Sequence, residues 1–118
     1  MKLRILGNSL RLRLSQKEVA LVRNRGLVES VIEFAPGRSL RYVLEGSPTA
    51  ETMSTTFDGR AIRVTIPMHQ MTDWVESDRV GFEARSQTGV QLLVEKDFQC
   101  LHRSVEQEPD AYPHPLMS

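Results

Sequence analysis

Gly59–Phe82, GRAIRVTIPMHQMTDWVESDRVGF, repeats a pattern that the chain has already used at Gly7–Ser30, GNSLRLRLSQKEVALVRNRGLVES. A shift of 52 places lays one on the other without a gap. Gly7 falls on Gly59, Arg11 on Arg63, Leu12 on Val64, Leu14 on Ile66, Val19 on Met71, Val22 on Trp74 and Val28 on Val80. The same register places Gly37 on Gly89, Leu40 on Leu92 and Tyr42 on Val94. Few of these matches are identities, but apolar positions coincide over about 40 residues, and self-similarity at a fixed offset is the signature of a structural unit used twice.

Within the first copy, Leu10, Leu12 and Leu14 alternate with Arg11 and Arg13 at the period of two that separates the faces of a strand. Lys2–Leu6 and Ser9–Leu14 therefore form a hairpin about Gly7-Asn8, residues that tolerate the positive φ of a tight turn. Ser15 opens a helix with a capping box, its hydroxyl accepting from the Glu18 amide and the Glu18 carboxylate reaching back. Leu14 and Val19 stand at staple positions. The helix runs to about Asn24, with Arg23 and Arg25 favourable at its negative end and Gly26 suited to the left-handed position beyond it. Leu27–Phe34 and Ser39–Glu45 form a second hairpin around Ala35-Pro36-Gly37, with Leu40, Tyr42 and Leu44 on one face, and Gly46-Ser47-Pro48 is a connector.

The second copy repeats this order. Thr52–Phe57 turns at Asp58-Gly59 into Arg60–Ile66, with Ile62, Val64 and Ile66 inward. Pro67 suits the first turn of a helix over Met68–Glu76, whose apolar stripe is Met71, Trp74 and Val75. Arg79–Arg85 and Val90–Lys96 make the last hairpin around Gln87-Thr88-Gly89. The expected fold is mainly β (α+β): two ββαββ repeats, residues 1–46 and 52–98, closing one eight-stranded antiparallel barrel with a pseudo-twofold axis and two short helices. Closure would remove exposed strand edges. Residues 99–118 form a C-terminal tail.

The 118 residues are enough for one domain. A formal net charge of zero provides no whole-molecule field for nucleic acid or membrane. The charge is nevertheless uneven. Residues 1–25 hold Lys2, Arg4, Arg11, Arg13, Lys17, Arg23 and Arg25 against Glu18 alone, whereas residues 95–118 hold five acids against Lys96 and Arg103. The reading is either a basic binding face with an acidic tail or two ends that attract each other. A single cysteine excludes an internal disulfide and suits a reducing cytoplasm. No apolar run reaches the ~20 residues of a membrane span, and the N-terminal apolar stretch is too short for a signal peptide. A cytoplasmic location with no membrane partner is expected.

Ile5–Glu18, ILGNSLRLRLSQKE, resembles the DNA-binding domain of the AbrB/MazE family, whose hallmark is a hydrophobic strand, Gly-Asn-Ser, a strand ending in Arg-Ile-Pro, and a short helix. Gly7, Asn8 and Ser9 match; Arg13 falls on the family's arginine, Leu14 on its isoleucine, and Ser15 replaces the proline. In the second copy Gly59 and Ile66-Pro67 match, but Thr65 stands where the arginine belongs. The resemblance covers roughly residues 2–34 and 54–86. It implies the swapped-hairpin barrel of two interlocking chains, built here as an internal pseudo-dimer and hence a monomer. It also implies a regulator or antitoxin-like protein that binds double-stranded DNA, with Arg4, Arg13 and Lys2 on the family's contact positions; Arg11 and Arg63, from the alternating basic strands, complete the candidate DNA-binding set. Thr56 and Thr65 replace Arg4 and Arg13 in the second copy, which halves the phosphate-facing charge. The acidic tail is similar to the toxin-binding tail of MazE-type antitoxins, which implies a protein partner. Glu95-Lys96-Asp97-Phe98 with Cys100 is also similar to small uncharacterised bacterial proteins.

Three function classes follow. The first is the DNA-binding regulator or antitoxin. The second is a barrel of the same fold that does not bind DNA and acts as a protein-interaction module through its tail. The third is a small-ligand or metal-binding protein around Cys100, His102 and Asp97, which are ligand and nucleophile types without a recognised spacing. Arg11, Arg13, Arg41 and Arg63 form either a basic face or an outer face paired with Glu29, Glu33 and Glu83. Trp74 and Met71 read as core rather than as a ligand pocket. No phosphate loop, Gly-rich dinucleotide motif, nucleophile elbow or paired-carboxylate constellation is present, so neither an enzyme nor a cofactor is expected.

Overall fold

The alternating leucines of Ser9–Leu14 form β2, which turns back on β1 (Lys2–Leu6) through Gly7 at φ +55°. Ser15 then caps α1 (Gln16–Arg25) with the expected box: the Glu18 amide donates to Ser15 Oγ at 3.3 Å, and the Ser15 amide donates to Glu18 Oε1 at 2.9 Å. The N-terminal ammonium also contacts the Glu18 carboxylate. Gly26 ends the helix at φ +77°, its amide donating to Val22 O at 2.8 Å, and the chain passes directly into β3 (Leu27–Ala35) and β4 (Arg38–Ser47). The computed structural model describes residues 1–98 and residue 112. The tail assignment, with Cys100 and His102, therefore lies outside the described residues.

The second half follows the same sequence of elements: β5 (Ser54–Phe57), β6 (Ala61–Pro67), α2 (Met68–Glu76), β7 (Gly81–Arg85) and β8 (Gln91–Lys96). Pro67 sits one residue earlier than expected, closing β6 as the N-cap of α2 rather than occupying its first turn. Gly46 and Ser47 extend β4 rather than serving as connector.

The strands form two four-stranded sheets, ordered β1-β2-β8-β7 and β3-β4-β6-β5. Exchanging the two halves of the chain converts one order into the other, so each sheet takes one hairpin from each repeat. The mainly-β, α+β class and the doubled ββαββ order hold. The eight-stranded antiparallel barrel does not: among the described residues the sheets are separate, and the pairings β2–β8 and β4–β6 are parallel. A hairpin is antiparallel by construction. When the inner strands of two hairpins from twofold-related repeats meet, their direction depends on how the repeats cross, and a period-two pattern is identical in either case.

The registers also refine the repeat. Leu12 pairs with Leu3 and Val94, and Val64 pairs with Thr55 and Leu44. Leu12 and Val64 are thus equivalent at the offset of 52, but Leu44 corresponds to Val94 and Tyr42 to Leu92, at an offset of 50. Val28 faces Leu44 as Phe82 faces Val94, at an offset of 54. The matches Val28–Val80, Leu40–Leu92 and Tyr42–Val94 are corrected accordingly. Two features shift the register. α2 needs Ser77–Val80 before β7 begins, and the β3–β4 hairpin is four residues longer than β7–β8 between equivalent pairs.

One core cluster joins Leu12, Leu14, Leu92 and Val94 from the first sheet to Leu44, Val64 and Ile66 from the second, with Val22, Met71 and Trp74 from the helices. Trp74 is fully buried, meets the Phe82 ring edge-on at 5.6 Å, and donates from Nε1 to Val80 O at 3.0 Å. Burial of an indole with its N–H satisfied is the usual core solution. Met53, between β4 and β5, joins this cluster; no periodicity marks it.

Candidate functional site

The basic residues of the first hairpin line one face of the sheet. Arg4 stands opposite Arg11, and Lys2 opposite Arg13, across β1–β2. The parallel neighbour β8 brings Glu95 beside Arg13. Arg13 Nε donates to Glu95 Oε1 at 2.6 Å, and Arg11 Nε lies 3.7 Å from the same oxygen. Lys2 Nζ is 2.8 Å from Asp97 Oδ2. The Lys2 hydrogen bond, with the charges of Lys2 and Arg13, holds the Asp97 carboxyl below its ordinary pKa against desolvation.

The other sheet repeats the arrangement. Glu45 lies across β4–β6 from Thr65. Arg63 Nη1 donates to Glu45 Oε2 at 2.8 Å, and Thr65 Oγ1 lies 3.4 Å from Glu45 Oε1. Each central parallel pair therefore carries one glutamate between two equivalent positions: Arg11 and Arg13 in one sheet, Arg63 and Thr65 in the other. Arg41 meets Glu29 at 3.7 Å as the sequence suggests. The carboxylates found on Arg11, Arg13 and Arg63 are Glu95 and Glu45, which only the parallel pairings bring across.

Of the metal-type residues, Asp97 is engaged with Lys2, while Cys100 and His102 lie outside the described residues. Among the described residues no three His, Cys, Asp or Glu side chains converge.

Three concavities among the described residues bear on function. A groove of about 1010 Å³ runs between the helices past Val19, Val75, Asp78 and Phe98. Its cations are occupied, since Arg23 Nη2 donates to Val75 O at 2.9 Å and Lys96 Nζ to Ser77 O at 2.7 Å. At the opposite end, an apolar cleft of about 710 Å³ lies between the two hairpin tips that Ile5 and Phe57 mark at equivalent positions, 60% and 64% exposed. Leu10 with Ile62 and Leu40 with Val90 complete its matched pairs. Beside it, a cleft of about 610 Å³ separates the β3–β4 turn from the β5–β6 turn, lined by Phe34, Gly37, Arg38, Ser39, Gly59 and Arg60. No sequence motif points to it. Arg38 opens β4 and Arg60 lies in the β5–β6 turn, 22 places apart, and only the tertiary structure brings both to one cleft.

The geometry defines a mainly-β, internally duplicated protein with charge-matched outer faces. Within that class the chain belongs to a family of unknown function, DUF7009, whose profile matches residues 1–116. No curated protein and no solved structure matches it. Among the described residues no helix is long and apolar enough to cross a membrane.

Proposed function

We propose that the chain is an AbrB/MazE-like duplicated module that has left duplex DNA and serves protein interaction. The observation that carries this reading is the pairing of Lys2, Arg11, Arg13 and Arg63 with Asp97, Glu95 and Glu45. Phosphate contacts supply nearly all non-specific DNA affinity, and they require cations free to replace counterions. Four of the five basic candidates already hold a carboxylate at 2.6–3.7 Å. Thr56 and Thr65 remove two more charges from the second copy. The hairpin exchange between repeats supports the swapped-hairpin ancestry. In this reading the protein is a monomer built as an internal pseudo-dimer, and its partner engages the acidic tail, residues 99–118, which apart from Tyr112 lie outside the described residues.

The test is fluorescence anisotropy with labelled random-sequence duplex at low and moderate salt. No binding is expected at either, and Arg13→Ala is expected to change nothing. Tight binding at low salt that collapses as salt rises, and that Arg13→Ala weakens, would overturn this reading in favour of a DNA-binding regulator or antitoxin.

A further inference from the structure

The pseudo-twofold symmetry provides an internal control for the turn end of the molecule. Gln91 donates its amide to Asn8 O at 3.0 Å, and Arg41 donates its amide to Arg60 O at 3.0 Å, so Asn8 and Arg60 are equivalent positions. In the first sheet the gap between the two turns is clasped, because Asn8 Nδ2 donates to Gly89 O at 3.0 Å. In the second sheet Arg60 replaces Asn8, the longer β3–β4 hairpin reaches further out, and the gap opens into the cleft of about 610 Å³.

Three properties distinguish this cleft. Arg38 and Arg60 both line it, and no acidic residue does. Among the described residues neither guanidinium has a hydrogen bond or ion pair, in contrast to Arg11, Arg13, Arg41, Arg63 and Arg79. The nearby carboxylate of Asp58 accepts through Oδ1 from the Ala61 and Arg60 amides at 2.8 Å each; these bonds, with the Arg60 charge, hold it below its ordinary pKa without a direct ion pair to the Arg60 guanidinium. Glu33 stands opposite Ser39 one pair away from the turn. Finally, Phe34 lines the cleft with its ring 70% exposed and so open to a stacking partner. Two planar guanidinium forks suit a phosphate, an exposed ring suits a base, and the volume falls within the ~300–1,000 Å³ typical of small-molecule sites.

We propose that the cleft between the β3–β4 and β5–β6 turns binds a nucleotide, with Arg38 and Arg60 on the phosphate and Phe34 stacked on the base. The nucleotide comes either free or as part of a single strand, since both present the same phosphate and base. This site is independent of the charge-matched sheet faces and of the protein-interaction reading.

The test is an amide chemical-shift titration of the full chain with inorganic phosphate, adenosine monophosphate and a short oligouridylate. Phosphate and the mononucleotide should shift Gly37, Arg38, Gly59 and Arg60, with the mononucleotide binding more tightly. Arg38→Ala and Arg60→Ala should each weaken mononucleotide binding at least about tenfold, the usual effect of losing a hydrogen bond to a charged group. Phe34→Ala should weaken the mononucleotide but not phosphate, and Arg79→Ala should change neither. Tighter binding of the oligouridylate would identify a single strand as the source, and tighter binding of the mononucleotide a free nucleotide. The proposal is overturned if these amides do not move, if the double arginine variant responds like the wild type, or if phosphate binds as tightly as the mononucleotide. All the substituted positions are exposed, Phe34 and Arg38 at strand ends and Arg60 and Arg79 outside the strands and helices, so unchanged thermal melting should confirm that each variant is folded.

Discussion

Arg13 Nε donates to Glu95 Oε1 at 2.6 Å across two strands that run parallel, joining the first hairpin of the chain to its last strand. The contact spans 82 residues of sequence and sits on a half-exposed face. Its energetic weight is small, because exposed ion pairs are screened and constrain two long side chains. Its effect on binding is larger, because it neutralises the arginine on which the AbrB/MazE resemblance most depends.

Glu95→Gln should therefore cost less than about 1 kcal/mol of stability, read as a small shift in the urea midpoint. The same variant leaves Arg11 and Arg13 without that carboxylate. It should acquire weak, salt-sensitive affinity for duplex DNA that the wild type lacks. A variant that stays indifferent to DNA at low salt would show that charge pairing is not what keeps this face off the duplex.

Ser15→Ala removes one half of the capping box, leaving the Glu18 amide without its side-chain acceptor. The expected loss is about 1 kcal/mol, measured by chemical denaturation. A loss near zero would mean that packing of Val19 and Val22 alone holds the start of α1.

Two glycines should respond differently to the same added methyl. At Gly81 a Cβ would lie 2.9 Å from the Glu95 Cα, against the backbone of the paired strand β8. That strand cannot yield without losing its ladder. Gly81→Ala should cost about 1–3 kcal/mol. At Gly46 the obstacles are Met71 Sδ at 2.7 Å and the end of Met68 at 3.1 Å, both on flexible side chains. Gly46→Ala should be milder, and equal melting temperatures for the two variants would contradict this distinction.

Acid should expose the role of Lys2. Its hydrogen bond to Asp97 depresses the carboxyl's folded pKa below the unfolded value of about 3.9. The folded state then binds fewer protons in acid, so the contribution is complete above that value and is lost as pH falls through the lower folded pKa. Lys2→Met should flatten the decline of stability between about pH 5 and pH 2. Equal slopes for variant and wild type would show that the ion pair does not form in solution.

Much of the molecule was legible because it is local. The capping box of Ser15 and Glu18, the turn glycines, and the alternation around Leu12 and Val64 all act within a few residues, where propensity and periodicity operate. The duplication was legible from the same alternation repeated, and its offset held as far as Trp74. Beyond the helices the register drifted, because two extra residues before β7 and a hairpin shorter by four are both even shifts, which leave the period-two alternation in phase and so escape a gapless comparison.

The candidate site was less legible. Arg11, Arg13 and Arg63 could be read as a basic face, but whether that face is charged depends on Glu95 and Glu45, which arrive from parallel neighbours. The cleft of Phe34, Arg38 and Arg60 left no sequence signal, because turns carry no periodicity and its two arginines belong to different hairpins.

The sequence by itself determined the elements, their caps, their order and their duplication, since each rests on interactions between residues close along the chain. Tertiary structure alone decided that the repeats exchange hairpins, that the central strands run parallel, and which carboxylate meets which arginine. The physical reason is that an alternating strand buries the same face whichever neighbour it takes and in whichever direction. The choice is made only when two distant hairpins compete for the same core.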